Sequence, residues 1–151
     1  MNFELIYNNF FIILSGLDET LKLVIISLSL GFIIAIPFAL ARASSFKILS
    51  QSVYYYIFVI RGTPLLVQIY LIYYGLGTIQ FVRESFLWIV LKDPFFCGVL
   101  ALVINTVAYT AEIFRGGIQS VTKGQIESCK SLGMSRFIMY FMLFFNNHER
   151  F

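Results

Sequence analysis

From Leu21 to Ala41 the chain runs for about 20 residues with one charge, Lys22 near its edge, and that run limits what it can fold into. A hydrocarbon core roughly 30 Å thick needs a helix of about this length. Lys22 can snorkel to the interface along its own methylene stem. Gly31 and Pro37 fall inside the run. Membrane helices tolerate both when neighbours cover the freed backbone groups, so close packing and a kink are the preferred reading. The whole chain agrees with a bilayer setting: 59% hydrophobic, 18% aromatic, 13% charged. Globular chains are about 45–50% apolar and about 25% charged. A net charge of +3 is too small to suggest nucleic acid as a partner.

The other segments are placed around this one. Residues 1–20 hold a short apolar stretch, Phe10 to Leu14, which Ser15 to Thr20 interrupts, and are expected at a membrane face. Arg42 to Ser52 reads as a polar link. The next segment, 53–82, is broken by Arg61-Gly62-Thr63-Pro64. Pro64 has no N–H, which disturbs the ladder. One long tilted helix with a kink fits, and so does a short interfacial helix followed by a span from Leu65; the first is favoured. Tyrosines toward both ends suit an aromatic belt. A second link, 83–93, leads to a third span, 95–114. Asn105, Tyr109 and Glu112 lie there at i, i+4 and i+7, on one helical face.

Between apolar segments sits a polar stretch, Thr122 to Arg136. Thr122 followed by Gln125 reads as a capping box. Lys123 to Leu132 make about ten helical residues, roughly 15 Å. Gly133 stands where a left-handed residue closes a helix, and Ser135 can cap the segment after it. Ile126, Cys129 and Leu132 form a narrow apolar stripe, and Glu127 neighbours Lys130. Docking in a partner's groove and resting on lipid headgroups both remain open. The links 42–52 and 115–136 carry Arg42, Lys47, Arg115, Lys123, Lys130 and Arg136; the opposite side carries Lys22, Arg83 and Lys92. Six against three puts 115–136 in the cytoplasm and the N-terminus outside.

Chemistry is sparse. His148 stands far from Cys97 and Cys129, so no metal spacing exists, and no disulfide is expected across a span. No serine–histidine pair or aspartate dyad lies in the spans, so an intramembrane enzyme finds no support. An intramembrane ionisable residue is a functional candidate by default. Glu112 and Asn105 could meet a substrate's ammonium and polar atoms. Pairing of Glu112 with Arg115 is the preferred alternative, because helix ends are cheaply solvated. Arg61, with Thr63 beside it, lines such a path or buttresses the Pro64 kink; the structural role is favoured.

Gly124-Gln125-Ile126-Glu127-Ser128-Cys129-Lys130-Ser131-Leu132-Gly133 resembles the "EAA" loop of permease subunits of ATP-binding-cassette (ABC) importers. Arg61 to Gln68 and Asn105 to Ile118 look like the polar-amino-acid branch of that family. The resemblance implies an all-α membrane protein with an ABC importer type I permease core, here three full transmembrane helices and a partial fourth, 137–145. It implies a multi-pass chain in the inner membrane, surrounded by lipid, beside a second permease copy or paralogue. An external, periplasmic solute-binding protein would deliver the amino acid. ATP would be bound by ATP-binding partner subunits, with no cofactor on this chain. Gly124, Glu127, Ser128, Cys129 and Gly133 would form the ATPase-coupling element, Ser128 and Cys129 replacing two alanines. Arg61, Thr63, Asn105, Tyr109 and Glu112 would lie on the substrate path.

The resemblance stops after Arg136. Phe137 to Phe145 is apolar for nine residues, and 146–151 reads as an aberrant tail from a premature or shifted reading frame. The expectation is therefore an amino acid permease subunit lacking its last helices, with a non-transporting remnant as the alternative.

Overall fold

The computed structural model describes residues 3–135 and Ile138. Apart from Ile138, the expected partial span 137–145, the tail 146–151 and Arg136 lie outside the described residues. The described chain is helical: α1 Phe3–Ala43, α2 Lys47–Gly62, α3 Leu65–Tyr70, a π-helical turn Leu71–Gly75, α4 Leu76–Thr78, α5 Gln80–Arg83, α6 Trp88–Leu91, α7 Pro94–Ser120 and α8 Lys123–Ser131. Among the described residues two helices are long and apolar enough to cross a membrane, Gly16–Ala43 and Pro94–Ser120, and a third if the bent pair Lys47–Gly62 and Leu65–Thr78 is one span.

The polar stretch Ser15 to Thr20 does not interrupt the first helix. Lys22 pairs with Asp18 at 2.6 Å and Glu19 at 3.2 Å, at i−4 and i−3. The Thr20 hydroxyl donates to the Gly16 carbonyl at 2.8 Å. These groups are satisfied along the helix itself, so α1 continues for 41 residues. The expected link 42–52 is likewise shorter. Ser50 donates to the Arg42 carbonyl and accepts from the Arg42 guanidinium, while Ser52 donates to the Ile48 carbonyl, and α2 begins at Lys47. The link at 83–93 holds the last residue of α5 and the whole of α6.

α1 packs chiefly on α7, with small residues inward and large ones outward. Ser27, Gly31, Ala35 and Ala39, each four apart, are its buried positions among the described side chains. Ile25, Ile33, Ile36 and Leu40 are exposed on the other faces. A Cβ on Gly31 would stand 2.5 Å from Thr106 Cγ2 and 2.7 Å from its Cβ. In lipid, where burying apolar side chains gains little, close backbone approach over small residues is what holds helices together. Ala35 and Ala39 join Val53, Ile57, Ala108 and Ala111 in one core cluster; Val99, Val103 and Val107 form another along α7. α7 starts cleanly, with Pro94 in its first turn and Asp93 accepting from the Phe95 N–H at 2.8 Å.

The favoured single kinked helix over 53–82 is corrected. α2 and the helix beginning at Leu65 meet at 104°. Thr63 takes an extended conformation, φ −115° and ψ 140°. A proline's ring pushes the residue before it out of the helical region, and that conformation turns a kink into an elbow.

Candidate functional site

Two places collect most of the residues singled out by sequence. The first is α8. The Thr122 hydroxyl accepts from the Gln125 N–H at 3.4 Å, and Gln125 Oε1 accepts from the Thr122 N–H at 3.0 Å, a reciprocal capping box. At the other end Gly133 has φ +70°. Its N–H donates to the Lys130 carbonyl at 2.9 Å, and the Met134 N–H to the Cys129 carbonyl at 3.1 Å. That pair of bonds is the Schellman closure, and it requires a left-handed residue at position 133. The Ile138 N–H then donates to Ser135 Oγ at 3.4 Å.

No residue of α8 is buried. Gly124, Glu127 and Ser128 are exposed, Ile126 and Cys129 half-buried, and Leu132 exposed. Among the described residues Glu127 forms no ion pair with Lys130. The helix is thus fixed in length by its own two caps while its carboxylate faces outward. Gly133→Val places a β-branched residue at positive φ, costing about 1–3 kcal/mol. Amide exchange over residues 130–134 should quicken roughly tenfold, read by hydrogen–deuterium exchange.

The second place lies between α2 and α7. A cavity of about 320 Å³ is lined by Tyr54, Ile57, Phe58, Arg61, Gly62, Tyr109 and Glu112. The Arg61 guanidinium lies over the Tyr109 ring, 5.1 Å from its centroid. Glu112 accepts from Arg115 Nε at 2.9 Å, so the expected i+3 pairing is present, and Arg115 also reaches Gln119. Arg42 stands over the Tyr54 ring at 5.0 Å. The cavity therefore offers a stacked cation, phenol rings and a carboxylate already held by a neighbouring arginine.

Thr63 and Asn105 are not in that cavity. Thr63 Oγ1 donates to the Val59 carbonyl at 3.0 Å, and Asn105 Nδ2 donates to Gln68 Oε1 at 3.2 Å. Asn105, Tyr109 and Glu112 do share the face of α7 turned toward α2 and α3, as their spacing predicts. Gln68 stands out in the sequence only as the end of the Arg61 to Gln68 stretch, and Tyr56, one of the tyrosines expected in an aromatic belt, instead donates its hydroxyl to the Ile104 carbonyl at 2.7 Å. A lone glutamine four residues after a proline in an apolar run is the signal that would have found the first.

Residues 18–147 match the model of the family described as binding-protein-dependent transport system inner membrane component, so the likeness runs on past Arg136, where it was expected to stop. The chain is 48% identical over 141 residues to the nopaline transport system permease protein NocM of Agrobacterium fabrum, covering 93% of this chain and 58% of that one. It is 49% identical to the octopine transport system permease protein OccM of Rhizobium radiobacter, covering 87% and 54%. It is 38% identical to the arginine ABC transporter permease protein ArtM of Haemophilus influenzae, covering 83% and 55%. The chain thus spans about half the length of these relatives. A crystal structure of an amino acid ABC transporter with histidines superposes with a TM-score of 0.75 at 41% identity, over 92% of this chain and 61% of that chain. Family and apolar helices together make this a multi-pass membrane protein, and the chain belongs to the binding-protein-dependent transport system inner membrane component family.

Proposed function

We propose that the chain is a permease subunit of an ATP-driven amino acid importer, and that α8 is the element through which ATPase subunits act on it. The observation that carries this reading is α8 itself: a helix in the matched region, closed at both ends by its own caps, with no buried residue and an outward carboxylate. Gly124, Glu127, Ser128, Cys129 and Gly133 make the coupling element. Glu127 contacts the ATPase, and Gly133 forms the turn. The basic residues Arg42, Lys47, Arg115, Lys123, Lys130 and Arg136 put this loop in the cytoplasm and the N-terminus outside. ATP is bound by the partners, a solute-binding protein delivers substrate on the far side, and a second permease copy or paralogue completes the assembly. The non-transporting remnant is not favoured, because the family matched and the relatives are named as transport system permeases.

For the substrate, an amino acid or a derivative of one fits the names of the relatives, which include nopaline, octopine and arginine. Arg61, Tyr109 and Glu112 meet it in the α2–α7 cavity, Arg61 taking a carboxylate. Thr63 and Asn105 shape the path from the adjoining elbow.

Uptake of labelled amino acid by proteoliposomes holding the complete transporter tests this. Uptake should require ATP and fall at least roughly tenfold in Arg61→Ala, the loss of one charge-assisted contact of about 1.5–3 kcal/mol. ATPase association should persist. ATP-independent uptake would count against the reading, and unchanged uptake in Arg61→Ala would remove Arg61 from the path.

A further inference from the structure

The elbow between α2 and α3 lacks a donor that a continuous helix would have. An uninterrupted helix would satisfy the Ile60 carbonyl with the N–H of residue 64, four positions on, and residue 64 is proline. The end of a helix leaves its last carbonyls without partners, and in lipid no water is at hand to supply them. Gln68 is buried in this corner. Its Nε2 lies 2.7 Å from the Ile60 carbonyl, 3.1 Å from the Thr63 carbonyl and 2.8 Å from Thr63 Oγ1. The Thr63 hydroxyl also approaches the Ile60 carbonyl, at 3.3 Å, but its one proton is shared with the nearer Val59 carbonyl at 3.0 Å. Its Oε1 accepts from Asn105 Nδ2 at 3.2 Å, which fixes the amide with its donors toward the elbow.

We infer that Gln68 is a positioning residue that stands in for the missing proline N–H, holding the 104° elbow shut and tying it to α7 through Asn105. The carbonyl it holds belongs to the residue before Arg61, so the clamp fixes the last turn of α2 and with it the guanidinium over Tyr109. The bend therefore rests on a side chain from the far arm, a device that ordinary packing at the corner would not need. This concerns the geometry of the elbow and does not depend on the importer reading: uptake tests the one, an intramolecular distance the other.

The test uses the full chain in lipid nanodiscs. Nitroxides are placed by Ile48→Cys and Leu71→Cys, both exposed positions, one on each arm, in a Cys129→Ser background; Cys97 is buried and stays. Pulsed electron resonance should give one narrow distance distribution for this parent. Gln68→Met, of similar size but unable to donate, should broaden it at least twofold. Adding Pro64→Ala should narrow it again at a longer mean distance, because the alanine N–H reaches the Ile60 carbonyl once the extended Thr63 returns to a continuous helix. Should Gln68→Met alone give no monodisperse protein, recovery of yield by Pro64→Ala supports the inference equally. A Gln68→Met distribution as narrow as the parent's would overturn it. So would broadening, or lost yield, that Pro64→Ala leaves uncorrected, since a side chain that merely fills space is not replaced by an amide four residues away.

Discussion

Gly31→Ala is expected to destabilise the described fold by about 1–3 kcal/mol, the range for overpacking a fitted contact. One methyl group suffices because of what it meets. The new Cβ would stand 2.7 Å from Thr106 Cβ, an atom whose place the backbone of α7 sets, and 2.5 Å from Cγ2. Threonine is stiff at χ1 in a helix, so turning the side chain removes at best one of the two overlaps. α1 and α7 must then move apart, and the neighbouring contacts of Ser27, Ala35 and Ala39 loosen with them. Opposing this, alanine is a better helix former than glycine by about 1 kcal/mol. The overlap wins, since contacts under 3 Å leave no room. Gly116→Ala is the control: nothing lies within 4 Å of its Cβ, and it should be neutral or mildly stabilising. Thr106→Gly should recover part of the loss when combined with Gly31→Ala. Thermal unfolding in detergent, followed by size-exclusion profile, reads all three. A Gly31→Ala protein as stable as the parent would show that the two helices do not meet there.

Local features were the legible ones. The capping box at Thr122 and Gln125, the left-handed Gly133 and the Glu112–Arg115 pair each involve groups a few residues apart, and their spacing alone specifies them. The face shared by Asn105, Tyr109 and Glu112 comes from helical period in the same way. What sequence did not supply depended on partners distant in the chain or on a choice between permitted geometries. Pro64 is compatible with a mild kink and with an elbow. Gln68 selects the elbow with help from Asn105, 37 residues further on. The continuation of α1 through Asp18 and Glu19 turned on Lys22, read as a snorkelling edge residue when it also neutralises the turn before it. The cavity at Arg61 needed the crossing of α2 over α7. The small-residue series Ser27, Gly31, Ala35, Ala39 was in plain view at a period of four, yet only Gly31 draws attention when residues are taken singly.

The coupling role proposed for α8 leads to the other large effect, that of Glu127→Arg. Glu127 is exposed, and its side chain takes part in no ion pair among the described residues, so reversing its charge should shift stability by no more than about 0.5 kcal/mol. Seated against an ATPase the same residue becomes one half of a desolvated charge contact. Breaking such a contact costs about 2–5 kcal/mol, roughly 30-fold to several-thousand-fold in affinity. Reversal adds repulsion to that loss. The variant therefore separates folding from coupling: helix content and yield stay, and the partner goes. The direct measurement is co-purification of the ATPase subunit with the tagged chain from membranes expressing both. The account predicts that the ATPase elutes with the unaltered chain and is lost with Glu127→Arg at equal yield. Extraction of the unaltered chain with no ATPase bound, or full retention of the ATPase by Glu127→Arg, would contradict it.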